Sequence, residues 1–196
     1  MNLRIFSYLF LVILFCNNIY GQELNFESTK KSAEKGEAIA QYSLAVMHYS
    51  GFGTLINKKQ SFYWCKKSAE QGYSEAQCLL ALMYYLGEVT LIDKRQSFYW
   101  YKKSAEQGNS IAQFQLAMMY YDGEGIRTNK KQAFYWFNKS AEQDDVKAQY
   151  NFGLMYFFGE GTPIDKKQAS FWIKKSYENG YDNAKRFWKE YELWKY

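Results

Sequence analysis

Four features of this chain have the residue types and spacing to do chemistry. A single histidine, His48, could serve as a general base. Ser28 and Lys31 have the S-x-x-K spacing of an acylating serine hydrolase. Gly51-Phe52-Gly53, Gly123-Glu124-Gly125 and Gly159-Glu160-Gly161 could cradle a phosphate. Cys65 and Cys78 could pair or bind metal. None of the four is completed into a reaction. His48 stands where Tyr84, Tyr120 and Tyr156 occupy the same place in a recurring pattern, so it reads as a packing substitution. The S-x-x-K spacing has no S-D-N or K-T-G partner. The glycine loops follow helical patterns rather than strands, and Val89 breaks the motif in one copy, so turn chemistry accounts for them. No C-x2-C knuckle is present, so neither zinc nor any other metal or cofactor is expected. No catalytic residue is assigned, and the chain is not expected to be an enzyme.

The elements that position these residues are repeats. Ser32, Ser68, Ser104, Ser140 and Ser176 sit 36 residues apart in KKSAEKG, KKSAEQG, KKSAEQG, NKSAEQD and KKSYENG. A period of this length marks a solenoid of repeated supersecondary units. The first half of each unit spaces its apolar residues for one helical face: Ala40, Leu44 and Met47, then Ala76, Leu80 and Met83, and so on. Gly51, Gly87, Gly123 and Gly159 close this helix A. The second half opens with Asn57, Asp93, Asn129 and Asp165, each with a glutamine three residues on, which is a capping box. Helix B then runs to Gly36, Gly72, Gly108 and Gly180, with Asp144 in place of glycine once.

Composition agrees with a packed array. Aromatic residues make up 20% of the chain and there is one proline, so there is ample apolar surface to bury. The net charge of +5 does not by itself imply nucleic acid. Arg4 followed by the apolar run 5–15 and a small residue at Gly21 describes a secretory signal peptide, too short to span a bilayer. Cys16 invites a lipoprotein reading, but Phe15 precedes it where a small residue is needed. The expected organisation is therefore signal peptide 1–21, N-terminal capping helix 22–36, repeats 37–72, 73–108, 109–144 and 145–180, and C-terminal capping helix 181–196.

Cys65 and Cys78 fall at facing positions of a helical hairpin centred near Gly72, where other copies carry large apolar side chains. They read either as a structural disulfide in an oxidising compartment or as two free buried thiols.

The pattern A-x-x-x-L-A/G-x-M-Y-x-x-G-x-G followed by D/N-x-x-Q-A-x-x-W-Y-x-K-S-A-E-Q-G resembles the SEL-one-like repeat (SLR) family, relatives of the tetratricopeptide repeats. The resemblance spans residues 26–185. It implies an all-α, right-handed superhelical solenoid of antiparallel helix pairs, with helices A lining a concave face. Bacterial members are commonly secreted or periplasmic adaptors that bind a protein or peptide partner. A cysteine-rich secreted subgroup is associated with β-lactam binding or hydrolysis, but this chain lacks a cysteine pair in each repeat.

Helix A carries a second apolar stripe: Tyr42, Val46 and Tyr49; Leu82, Tyr85 and Leu86, with Cys78; Phe114, Met118 and Tyr121; and Tyr150, Leu154, Phe157 and Phe158. These side chains either fill gaps between repeats or form an aromatic groove for a partner. The lysines of helix B (Lys66, Lys67, Lys102, Lys103, Lys139, Lys174, Lys175) read as a solvated outer face, or as ridges for acidic lipid or polymer. The expectation is a secreted or periplasmic monomer that binds protein or peptide along helices A. It has no nucleic-acid role and no integral membrane segment once the signal is cleaved. β-Lactam binding or hydrolysis is the alternative.

Overall fold

The computed structural model describes residues 25–196, so the signal-peptide reading of 1–21 lies outside the described residues. The described residues hold ten α-helices, one short 3-10 helix and no strand. They fall into two compact units. The first contains α1 (Phe26–Glu34), α2 (Ala38–Ser50), α3 (Lys58–Glu70) and α4 (Ser74–Leu86). The second contains α5 (Lys94–Glu106), α6 (Ser110–Asp122), α7 (Lys130–Ala141), α8 (Val146–Phe158), α9 (Lys166–Glu178), α10 (Asp182–Glu190) and a 3-10 turn at Leu193–Lys195. Within each unit every helix packs on the next in sequence.

The helix-B starts show the N-cap half of the expected capping box; its reciprocal half is replaced, because the amides of Asn57, Asp93, Asn129 and Asp165 donate to the backbone carbonyls of His48, Tyr84, Tyr120 and Tyr156. Asn57 accepts a hydrogen bond from the Gln60 amide and Asn129 from the Gln132 amide, both at 3.1 Å. Asp165 accepts from the amides of Lys167 and Gln168 at 3.0 Å. Helices α2, α4, α6 and α8 each end at a left-handed glycine. Asp144 adopts φ 64° where the other copies have glycine. Its carboxylate pairs with Lys175 at 2.8 Å and accepts from Gln149 at 3.1 Å, which offsets the backbone strain. The second glycine of the G-E-G loops has a packing reason as well as a turn reason. A Cβ on Gly125 would lie 2.2 Å from the Lys94 carbonyl oxygen, and one on Gly161 2.3 Å from that of Lys130. Each loop lies directly on the backbone that opens the preceding helix B.

The core is layered by small residues. Ala69 and Ala76 in the first unit, and Ala105, Ala112, Ala141 and Ala148 in the second, are almost wholly buried. Phe137, Phe152 and Met155 fill the centre of the second unit. Close helix approach also buries backbone carbonyls, and the SAE serines meet them. Ser68 Oγ donates to the Ala38 carbonyl at 2.6 Å, Ser140 to Ser110 at 2.9 Å, and Ser176 to Val146 at 2.6 Å. The glutamine of each A-Q pair does the same one repeat back. Gln41 donates to Ala33, Gln77 to Ala69, Gln113 to Ala105 and Gln149 to Ala141, all between 3.1 and 3.3 Å. Their amide oxygens in turn accept from the next turn: Gln71 to Gln41 and Gln143 to Gln113, both at 2.7 Å.

The last segment departs from a continuous capping helix. Glu192 takes a left-handed conformation after α10, and the chain folds back on itself. Leu193 becomes fully buried against Ile173 and Ala184. Ser170 stands where earlier copies have Phe62, Phe98 and Phe134, and its hydroxyl donates to the Leu193 carbonyl at 2.8 Å. A small polar residue thus makes room for the tail that closes this end of the second unit.

Replacing Gln113 by leucine removes one of the two donors to the Ala105 carbonyl, which keeps the Gly108 amide, and one of the two acceptors of the Gln143 amide, which keeps the Lys139 carbonyl. A loss of about 1 kcal/mol in folding free energy is expected, measured by urea unfolding at constant m-value. An unchanged midpoint would show that water replaces both bonds.

Candidate partner-binding face

Each helix A has two apolar sides. On α6 and α8 the first side, with Ala112, Leu116 and Met119, then Ala148, Phe152 and Met155, is fully buried. The second side is not. Phe114, Met118, Tyr121, Tyr150, Leu154 and Phe157 are half-buried, and Phe158 is 54% exposed. In the first unit Leu82, Tyr85 and Leu86 are likewise half-buried. The first repeat differs: Tyr42, Val46 and Tyr49 are 3%, 4% and 7% exposed, so these three are packed rather than presented. Tyr42 meets Tyr73 edge-on at 5.3 Å. At the other end Tyr150 meets Tyr181 and Phe187, and Phe157 meets Phe187 and Tyr191. The C-terminal helix thus covers part of the stripe on α8.

The tyrosines of this stripe are held by partners that the repeat pattern alone did not reveal. In the first unit Lys58 Nζ lies 2.9 Å from the centre of the Tyr49 ring, and Tyr49 donates its hydroxyl proton to Glu88 at 3.1 Å. Lys58 and Glu88 pair at 3.4 Å. The second unit repeats the arrangement: Lys130 lies 2.8 Å from the Tyr121 ring centre, Tyr121 donates to Glu160, and Lys130 pairs with Glu160 at 3.5 Å. Lys94 and Glu124 make the corresponding ion pair at 3.4 Å. In the last repeat Phe157 replaces tyrosine, and Lys166 sits over its ring and donates to the Phe157 carbonyl at 3.0 Å. The signal was in the sequence as a fixed spacing, with a glutamate 39 residues after the tyrosine. Burial first, then the bond to Glu160, pushes the Tyr121 phenol up to about 12; burial and Glu88 raise Tyr49 in the same way.

The remaining candidates other than Cys78 lie apart from this stripe. His48 is half-buried with the Phe26 ring edge-on at 5.5 Å. Burial lowers its pKa, a bond to the Leu55 backbone opposes this, and Lys30 lowers it further, so it is neutral near pH 7. Ser28 donates to the Asn25 carbonyl at 2.9 Å in the first turn of α1. Cys65 and Cys78 are both buried and both free thiols in this structure, and the Cys65 thiol donates to the Ala76 carbonyl at 3.2 Å. Burial raises both, Cys78 to about 12, so neither is a thiolate near neutrality. Among the described residues no group of acids, histidines or cysteines could hold a metal ion. The helix-B lysines divide their work. Lys66, Lys102 and Lys174 pair with Glu70, Glu106 and Glu178 four residues on, while Lys67, Lys103 and Lys139 lie over Tyr63, Tyr99 and Tyr135.

The Tyr121 clamp has a pH signature. The folded phenol titrates near 12 and an unperturbed tyrosine near 10, so its contribution is complete below pH 10 and is lost as pH rises through 12. Melting temperatures taken on both sides of pH 10 are expected to fall more steeply for the native protein than for Tyr121→Phe. The variant starts about 1 kcal/mol less stable at neutral pH. Parallel pH profiles for the two proteins would remove the clamp as a cause.

With this geometry in hand, the chain can be set beside known proteins. The Sel1 repeat family model matches residues 38–73, 74–109, 110–145 and 146–181. No curated protein matches. Among solved structures, c5321, a protective antigen of uropathogenic Escherichia coli displaying an SLR fold, is 36% identical with a TM-score of 0.80, covering 83% of this chain and 35% of that one. A Sel1 repeat protein from Oxalobacter formigenes is 33% identical with a TM-score of 0.77, covering 83% and 47%. The chain therefore spans less than half the length of either protein. Helicobacter pylori cysteine rich protein B, at 24% identity and a TM-score of 0.50 over 62% of this chain and 87% of that one, shares the fold. The fold is the all-α solenoid of antiparallel helix pairs with 36-residue repeats, and the chain belongs to the Sel1 repeat family.

Proposed function

We propose that this protein is a secreted or periplasmic adaptor that binds a protein or peptide partner along its helix-A face. Sel1 repeat proteins generally mediate protein–protein interaction, which supports the class of function. The observation that carries the site is the second stripe of α6 and α8. Phe114, Met118, Tyr121, Tyr150 and Leu154 stay half-exposed although the opposite side of the same helices is fully buried. Aromatic and methionine side chains are enriched in interface cores. Lysine and glutamate hold Tyr121, so its ring is fixed before a partner arrives, and little rotamer entropy is lost on binding. The buried first-repeat residues Tyr42, Val46 and Tyr49 would support this surface from within rather than touch the partner. Among the described residues no helix is long and apolar enough to cross a membrane.

Secretion bears on the cysteines. In an oxidising compartment we expect Cys65 and Cys78 to close a disulfide that ties α3 to α4; in this structure both are reduced.

Two experiments test this reading. Met118→Ala with Phe158→Ala trims one half-buried and one exposed side chain, so the fold should hold. Affinity capture with the folded double variant should lose at least about tenfold of a partner retained by the native protein. If both proteins retain the same set, the stripe is internal packing. For the cysteines, protein recovered from the periplasm or medium is alkylated under denaturing conditions without reductant. Modification of neither Cys65 nor Cys78 is expected; modification of both would place the chain in a reducing compartment or show that the pair does not form.

A further inference from the structure

The first unit carries apolar side chains on one edge that its own fold does not use. In the loops joining α2 to α3 and following α4, Leu55 and Leu91 are 87% and 91% exposed. Ile56, Ile92 and Phe52 beside them are also exposed. The two loops are neighbours: Glu88 in the second accepts from Tyr49 and pairs with Lys58, which flank the first. The isoleucines have a local role. Ile56 and Ile92 lie over Gly51 and Gly87, where an added Cβ would come within 2.9 and 2.7 Å of them. The two leucines have no such role. At the same register the later repeats have Arg127 and Pro163, so the repeat does not require an apolar residue there. Phe52 likewise stands where later loops have Glu88, Glu124 and Glu160.

We propose that this loop edge docks on a lipid bilayer bearing anionic headgroups, with Leu55 and Leu91 entering the boundary between headgroups and acyl chains. Shape favours lipid over a protein partner. An apolar hot spot in a protein interface fills a pocket and is ringed by contacts that exclude water. A side chain about nine-tenths exposed at the tip of a convex loop suits a soft partner that closes around it. Charge favours it too. Lys58 and Lys59 follow the first tip directly, and Lys59 is exposed. The acid at this edge, Glu88, is already paired with Lys58, and Asp93 is half-buried at the foot of its loop. Basic side chains near a membrane surface gain from anionic lipid. This edge is distinct from the helix-A stripe, so the proposal stands or falls independently of the partner reading.

The test places benzoylphenylalanine, a photocrosslinker, at Leu91 of the full chain. A control places it at Lys35, exposed in the turn at the opposite end of α2. Each protein is irradiated with vesicles of phosphatidylcholine containing an equal amount of phosphatidylglycerol, and adducts are read by mass spectrometry. Lipid adducts are expected at position 91 and not at 35. Adding Leu55→Ser should weaken the vesicle concentration dependence by about tenfold, the worth of one buried leucine. Vesicles of phosphatidylcholine alone should give fewer adducts. No lipid adduct at 91, equal adducts at both positions, or adducts to a second copy of the chain in place of lipid would overturn the proposal.

Discussion

Buried carbonyl oxygens at the helix junctions set the terms on which these units are built. Alanine at the contact positions lets helices come close, but close approach shuts water away from the backbone groups beside them. The serine of each SAE string and the glutamine of each A-Q pair add side-chain donors there, and the Ala105 and Ala141 carbonyls also accept the Gly108 and Asp144 amides. Because donor and acceptor lie 8 or 30 residues apart, the bonds fix how far one helix can slide past another. Two apolar surfaces could pack in several registers; a hydroxyl aimed at one carbonyl accepts only one. The direction in which each helix A presents its second stripe follows from that.

The lysine–tyrosine–glutamate clamp adds a second, outer line of register. It joins the end of one helix A to the loop of the next repeat, and it works at partly exposed positions where an ion pair alone would contribute little. The tyrosine makes the difference. Its ring receives the ammonium and its hydroxyl engages the carboxylate, so three groups share one geometry. The same clamp occupies ring faces that a partner would otherwise stack against, which leaves ring edges and the neighbouring Phe114 and Met118 as available apolar area.

Much of this was legible in the sequence because the repeat writes each rule several times. Helix ends, the glycine stops and the N-cap residues follow from residue types at constant spacing, and the structure has each of them. His48 packs edge-on against Phe26 at a position that three tyrosines fill in the other copies. The clamp was missed because its members belong to different segments 39 residues apart, and nothing in one repeat marks the glutamate as a partner rather than a turn residue. Burial of Tyr42, Val46 and Tyr49 was missed for another reason. Periodicity assigns a residue to a side of a helix but says nothing about what lies over that side, and equivalent residues in α6 and α8 meet different surroundings. The fold-back at Leu193 was read as more helix because its aromatic spacing continues the helical period, while the decisive change was a single serine on a different helix.

The contact of Gly125 with the Lys94 carbonyl, and of Gly161 with that of Lys130, reaches beyond packing to how such a gene can change. A loop seated on its neighbour's backbone at that range has no slack for an added or lost residue. Each loop is also closed by a backbone bond, from Asn129 to Tyr120 and from Asp165 to Tyr156. A one-residue deletion would misplace the helix that follows, whereas loss or gain of a whole period brings every donor back to an equivalent acceptor. Recombination between near-identical DNA copies produces changes of that second kind. The arrangement therefore tolerates drift in copy number while holding copy length at 36, which is the state of the present chain.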